Sequence, residues 1–328
     1  MVTKRPFGVT EDGIEVTAYT IANERGISVT VLDYGATLQS VILPYKNGTV
    51  DVVLGYDTIE GYERNDGYLG ATIGRYAGRI PDSILRIGED TFPITANEGV
   101  HHLHGGRNGL DRRVWKTGVA HGYHVQFHTV LHDGEDGYPG NIRFTAAYSL
   151  SSNQLRITYF CTSDRTTAWN PTNHTYWNLN GHDAGDSRSH RLEIPAARFV
   201  PVDTDRIPTG GEADVANTPF DFRNLREIGA AYDHSFVLFP GLIRLFGTRG
   251  IGMEVRTSCR AVQLYNAEFL SARKGKGGAR YGPFGAVCLE TEGRQAQRGM
   301  PIPAENVLFP DHFPNARWTQ FTFLYGEQ

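Results

Sequence analysis

The chain has 328 residues, 40% hydrophobic and 21% charged, with 32 Lys and Arg against 36 Asp and Glu; a chain this long buries on the order of 75% of its unfolded surface, so its core is large. No run of about 18 apolar residues exists to span a membrane, the opening MVTKRPFGVTEDG has no signal-type apolar stretch, and the slight acidity without a long basic tract argues against nucleic acid as a partner. Cys161, Cys259 and Cys288 are too few and too far apart for a disulfide framework or a zinc ribbon, which points to a reducing compartment, the cytoplasm.

Along the chain the dominant period is two. Ile27, Val29 and Val31 alternate with Ser28 and Thr30, the pattern of a strand with one buried face. Asn47-Gly48 marks a turn, and 58–65 (TIEGYERN) suits a short turn of helix. Val125, Phe127 and Thr129 alternate with Gln126 and His128, before turn signals at Asp133-Gly134, Asp136-Gly137 and Pro139-Gly140. Leu155, Ile157 and Tyr159 alternate with Arg156 and Thr158, and Leu192 and Ile194 flank Glu193. Beyond the Gly210-Gly211 turn, the segment around Leu225 to Ala231 is a second candidate for a helical turn. The basic, glycine-rich stretch 271–280 (SARKGKGGAR) reads as a solvated hairpin loop in preference to an anion site. The last strand, WTQFTFLY (318–325), is β-branched and aromatic. No proline- or serine-rich linker divides the chain. The prediction is all-β: a single domain over 1–328, built as a large antiparallel β-sandwich.

Five stretches carry chemistry. GATIGRYAGRI (70–80) lacks a phosphate-loop pattern, but Arg75 and Arg79 offer guanidinium forks for vicinal hydroxyls, unless they are only surface or salt-bridged arginines. ANEGVHHLHGG (96–106) holds three histidines; His102 and His104, two apart, would share one face of a strand. Without a nearby cysteine or an HExxH pattern, they read as hydrogen-bonding groups and not as metal ligands. WNPTNHTYWNLNG (169–181) surrounds His174 with amides and aromatic rings, a setting that suits a sugar's hydroxyl edge and C–H face. Taken alone, His174 fits a structural role as well as a catalytic one. Asp233 in AYDHSFVL (231–238) heads an apolar strand and doubles as a turn residue. Glu290 in GAVCLETEG (285–293) ends an apolar run, where burial would raise its pKa and suit it to general-base work. Glu292 shares its face, and spacing does not choose between the two. Cys288 beside them reads as a small buried apolar residue.

Together these stretches resemble one family. GRYAGRI, NEGVHHLHGG, NPTNHTYWNL, IPTGG (207–211), TPFDFR (218–223), YDHSFVL, VQLYNAEFL (262–270) and VCLET occur in the order and at the spacing of the galactose mutarotase, or aldose 1-epimerase, family. The resemblance runs from ISVTVLDYGATLQSVILP (27–44) to the final strand. It implies that family's supersandwich and a cofactor-free, metal-free interconversion of the α and β anomers of an aldohexose such as D-glucose or D-galactose. The partner would be a small-molecule sugar, and the chain a monomer or a homodimer. By match to the family's motifs, Glu290 would be the general base and His174 the general acid. His104 would bind near the ring oxygen, Arg79 and Asp233 would hold hydroxyls, and Gln263 would lie close to the sugar.

The chemistry accounts for those residue types. Ring opening removes a proton from the C1 hydroxyl and gives one to the ring oxygen, so it calls for an acid and a base at once. The chain also departs from the family pattern. Gly78 stands where Asn is common, so one hydroxyl contact is expected to be lost, and His102 stands where Asn or Ser is frequent. Trp177 replaces a usual Phe, expected to enlarge a ring beside the site, and an atypical loop covers 292–310. Three other readings compete. A non-catalytic sugar-binding module would be expected to lose Glu290 or His174. A hexose 6-phosphate enzyme would need a cationic pocket, for which Arg294, Arg298, Lys274 and Lys276 are candidates. A glycoside hydrolase would pair Glu290 with Asp233 and leave the histidines unexplained.

Overall fold

The structure, a computed structural model, describes residues 1–64, 67–310 and 315–326. Among the described residues three sheets hold the long strands. The first is a meander of sequence neighbours: Val2–Val9, Glu15–Ala22, Ser28–Leu32, Thr37–Tyr45 and Gly48–Asp51. The largest runs, in spatial order, Lys116–His121, His124–Leu131, Ile142–Ser151, Gln154–Ser163, Asn315–Leu324, Gly252–Thr257, Ile243–Phe246, Arg191–Glu193 and Arg226–Glu227. The third runs Tyr176–Trp177, Val287–Glu292, Ala261–Tyr265, Asp233–Leu238, Ala196–Phe199 and Ala213–Asp214. Within each sheet the paired strands are antiparallel, and the last strand, Asn315–Leu324, joins the two halves of the largest sheet. A bridge from Val53 to Trp177 links the first sheet to the third.

The alternation read from the sequence explains the layering. Val29 and Val31, Phe127 and Ile157, and Val262, Leu264, Val287 and Leu289 all enter one core shared by the three sheets. That is the predicted β-sandwich. Among the described residues no helix is long and apolar enough to cross a membrane.

Three local expectations need comment. The predicted helical turn is present as Ile59–Glu63, with Thr58 extended at its N-cap; residue 65 of the predicted segment lies outside the described residues. The segment around Leu225 to Ala231 is not helical: Arg226–Glu227 pairs with Arg191 and Leu192 at the edge of the largest sheet. Edge pairing overrides a weak local propensity there. The 271–280 stretch is a hairpin, Arg273–Lys274 against Arg280–Tyr281, but it is not simply solvated. Lys276 is buried and donates from Nζ to Asp51 Oδ2 at 2.6 Å and to the Gln39 carbonyl at 2.8 Å. Asp51 lies in the first sheet, so this ion pair pins the hairpin to it.

Removing one partner of a buried pair leaves an uncompensated charge, at a cost of about 3–5 kcal/mol. Lys276→Ala is therefore expected to lower the unfolding free energy by about that much in a denaturant melt. The exposed Lys274→Ala should change it by no more than about 0.5 kcal/mol. Equal effects would contradict the pairing.

Candidate active site

Strand Val287–Glu292 is buried along its length, and its two faces differ in chemistry. Val287 and Leu289 enter the shared core, while Glu290 and Glu292 line a cavity of about 390 Å³. The neighbouring strand sets Gln263 opposite Glu290, and the next sets Asp233 opposite Tyr265. Over this face, the short strand Arg79–Ile80, paired with His102–Leu103, adds Arg79, and the positions just after short strands add His104 and His174. All six residues singled out from the sequence, Glu290, His174, His104, Arg79, Asp233 and Gln263, thus line one cavity.

His174 Nε2 lies 3.7 Å from Glu290 Oε1, and both side chains are almost fully buried. This choice between Glu290 and Glu292 was not open to spacing. The imidazole stacks with Tyr176, at 5.0 Å, and with Tyr68, at 6.0 Å. Burial pulls the His174 pKa down to about 4. Burial also pushes the Glu290 pKa well above the usual carboxyl range, and the nearby Glu292 and Asp233 push it further; only Arg79 opposes them. Burial thus works against the charged form of each group in the free pocket.

His104 is positioned by backbone. It has a left-handed φ of 52°, and its Nδ1 accepts the Gly78 N–H at 3.2 Å. Gly105 follows with φ 90°, and a Cβ there would stand 1.9 Å from the Gly74 carbonyl oxygen, so only glycine fits. With Nδ1 accepting, the neutral ring carries its proton on Nε2. Ligand atoms of His104, His174 and Glu290 all lie within 4.8 Å of one another, a spacing that a metal ion could use. The tautomer argues against it, because Nε2 would have to shed its proton to bind a cation. As a neutral donor, that Nε2–H suits an oxygen atom in the cavity.

Arg79 is held by a two-pronged ion pair with Glu98, Nε to Oε2 at 2.6 Å and Nη2 to Oε1 at 2.8 Å. Its Nη1 faces Asp233 Oδ2 at 3.8 Å. Gln263 Nε2 donates to Asp233 Oδ1 at 2.6 Å. The same carboxylate receives Arg206, Nε to Oδ2 at 3.1 Å, whose guanidinium lies 3.9 Å over the Phe269 ring. Glu98, Arg206, Phe269 and Tyr68 were missed in the sequence. Nothing local marks them, since each acts through a partner distant along the chain.

Several expectations are corrected. Arg75 does not face the cavity: it is buried and donates to the carbonyls of Pro139 and Gly140, both at 2.9 Å, and of His132 at 3.2 Å. His102 and His104 do not share a face, because the chain turns left-handed at His104. His102 instead bonds the Thr95 carbonyl and the Tyr138 hydroxyl, each at 2.7 Å. Trp177 is not beside the cavity. Alternation turns it into the core against Phe321 and Phe323, while its neighbour Tyr176 lines the cavity. Of the four cations considered for a phosphate, three are already engaged, Arg294 by Glu305, Arg298 by Asp82 and Lys276 by Asp51, and none of the four is among the residues that line the cavity. The atypical 292–310 loop does reach the cavity, through Glu292 and Gln295. A side chain at Gly78 would point at Gln295, with a Cβ 3.6 Å from its Nε2.

Comparison with known proteins shows the family. The aldose 1-epimerase family model matches residues 17–310. An aldose 1-epimerase from Haemophilus influenzae is 34% identical over 299 residues, covering 86% of this chain and 87% of its own. A galactose mutarotase from Mus musculus is 33% identical over 339 aligned positions, covering 98% of each. Among solved structures, an aldose epimerase homologue from C. elegans superposes with a TM-score of 0.87 at 32% identity, covering 94% of this chain and 98% of that one. A galactose 1-epimerase from Lactobacillus acidophilus gives a TM-score of 0.86 at 28% identity, covering 100% and 99%.

The buried carboxyls make stability depend on pH. Burial raises the Glu292 pKa from 4.5 to about 8. A carboxyl raised in the folded state favours folding most below its unfolded pKa, and that advantage is lost as pH rises through the folded value. This group should therefore lower the melting temperature as pH rises from about 4.5 to about 8, a range in which unfolded histidines also titrate, so its share is read from the difference between wild type and Glu292→Gln. Glu292→Gln should flatten that fall; parallel slopes for the two proteins would contradict the burial of an ionisable group there.

Proposed function

This chain belongs to the aldose 1-epimerase family and is an isomerase of that class, and on this premise we propose that Glu290 and His174 interconvert the α and β anomers of an aldohexose such as D-glucose or D-galactose. The observation that carries the reading is the 3.7 Å approach of His174 Nε2 to Glu290 Oε1 inside a cavity rimmed by hydroxyl-binding groups. In the ring-opening step, the C1 hydroxyl gives its proton to Glu290. The C1–O5 bond breaks, C1 becomes a carbonyl, and O5 takes a proton from His174. The open aldehyde turns about C1–C2, and closure on the other face returns both protons.

Burial supports this cycle energetically. The reactive form has charged His174 and ionised Glu290, which the dry pocket disfavours. Ring opening neutralises both at once, so the step runs towards the form that burial prefers. No proton need enter or leave, because the pair carries one throughout. The Nε2–H of His104 suits the ring oxygen, and Arg79, Asp233 and Gln263 suit the ring hydroxyls. The free thiols of Cys161, Cys259 and Cys288 accord with a cytoplasmic setting. A sugar-binding module without catalysis would not need a buried acid and base in contact.

Polarimetry of freshly dissolved α-D-glucose and α-D-galactose tests the reading. The wild-type chain should speed the decay, and Glu290→Gln should lose about 10²- to 10⁴-fold of that rate, the usual worth of one proton-transfer group. The wild-type kcat/KM should be bell-shaped in pH. It falls on the acid side near 4, where the pair gains a second proton on His174. It falls on the alkaline side at the raised pKa of Glu290, where the pair loses its only proton. Sugar binding with a rate that stays flat from acid to alkaline pH would sink the mechanism; binding with no acceleration would favour the module.

A further inference from the structure

The ring-opening chemistry occupies Glu290 and leaves Glu292 without a task. Glu292 is 1% exposed and lines the same cavity. It sits two residues further along the strand, so both carboxyls point to one face, with their backbones roughly 6.6 Å apart. Its Oε1 has no hydrogen-bond partner among the described residues. Buried polar atoms are nearly always paired, so a carboxyl in a cavity wall with an enclosed, unpaired oxygen has hydrogen-bonding capacity that a small turn of the side chain would offer to a ligand atom.

The surroundings are shaped for such an atom. Gly78 leaves the wall bare in front of Glu292: a Cβ there would stand 3.9 Å from Glu292 Oε2. Beside it the wall is fixed by a row of bonds. Gln295 Nε2 donates to Gln263 Oε1 at 3.0 Å, and Gln263 Nε2 donates on to Asp233 Oδ1 at 2.6 Å. These bonds hold the two amides in place, with Gln295 also beside the Glu292 carboxyl, and no bond on Oε1 has to be broken for an incoming group. The step from Glu290 to Glu292 matches the span of a pyranose from its C1 hydroxyl to the hydroxyls across the ring.

We propose that Glu292 is a further binding and specificity-determining residue of this pocket, whose carboxyl bonds the C3 or C4 hydroxyl of the aldose while Glu290 serves C1. The inference rests on the ring-opening reading above. It makes the 292–310 loop part of sugar recognition, at a side of the ring where glucose and galactose differ.

The test is KM and kcat for mutarotation of α-D-glucose and its 2-, 3- and 4-deoxy analogues by wild type, Glu292→Leu and Glu292→Gln. Glu292→Leu should raise KM about tenfold for glucose and for 2-deoxyglucose, the size expected from one lost hydrogen bond to a buried partner. For either the 3-deoxy or the 4-deoxy sugar it should change KM little, because wild type has already lost that contact. Glu292→Gln keeps a donor and an acceptor and should give the same pattern, weaker; it carries the comparison if the leucine variant does not fold. Any effect of Glu292 on the ionisation of Glu290 acts on all sugars alike and drops out. Unchanged KM, or an equal rise for all four sugars, overturns the inference while leaving the ring-opening reading intact. A wild-type chain that accelerates none of them overturns that reading and this inference with it.

Discussion

A carboxyl and an imidazole, 3.7 Å apart and both withdrawn from water, set the terms for the rest of this molecule. Neither group bears its charge cheaply in such a place. Burial lowers the His174 pKa and raises that of Glu290, which favours the neutral form of each; in the proposed mechanism the two share a single proton. A pair poised in this way can pass a proton in opposite directions at two atoms of one substrate. What surrounds it keeps the pair dry and in register. Tyr68 and Tyr176 stack with the imidazole, and the sheet backbone holds the carboxyl.

The sandwich makes that arrangement affordable in packing terms. The strand that carries Glu290 spends its other face on Val287 and Leu289 in the shared core. Polar and apolar burial are thus separated by the two-residue period of a single strand. The 292–310 loop, which follows directly, is held by a second buried network. Arg317, on the last strand, donates to Asn306 Oδ1 at 2.8 Å and to Asn170, and lies 4.9 Å over the Trp169 ring. Asn306 Nδ2 in turn donates to the Tyr76 hydroxyl at 2.9 Å. The final strand therefore braces the loop that brings Gln295 to the cavity.

Much of this was legible in the sequence, for identifiable reasons. Period-two alternation at 27–31, 125–129 and 155–159 reports burial on one side, and each segment is a strand with its apolar set in the core. The six cavity residues were legible through motifs, because Gly-Gly after His104 and amides around His174 leave a local trace. Less legible was anything that depends on direction or on a distant partner. Arg75 and Arg79 lie four apart, the first in an irregular stretch and the second in a two-residue strand, where spacing does not tell which one faces the cavity. Trp177 and Tyr176 are neighbours whose roles are exchanged by strand parity alone. Lys276 looked solvated because its partner, Asp51, is more than half the chain away. Glu98 and Arg206 were invisible for the same reason: each is defined by the charge it meets, Arg79 or Asp233.

If His174 and Glu290 act as one proton-sharing unit, their contributions to rate cannot be independent. The most direct test is a double-mutant cycle on kcat/KM for mutarotation, with Glu290→Gln, His174→Gln and the pair together. The account predicts that either single substitution costs nearly as much as both, since each leaves the remaining partner without a proton to give or a place to put one. Losses that multiply, with the double variant slower by the product of the two singles, would show two groups acting separately and would contradict the shared proton.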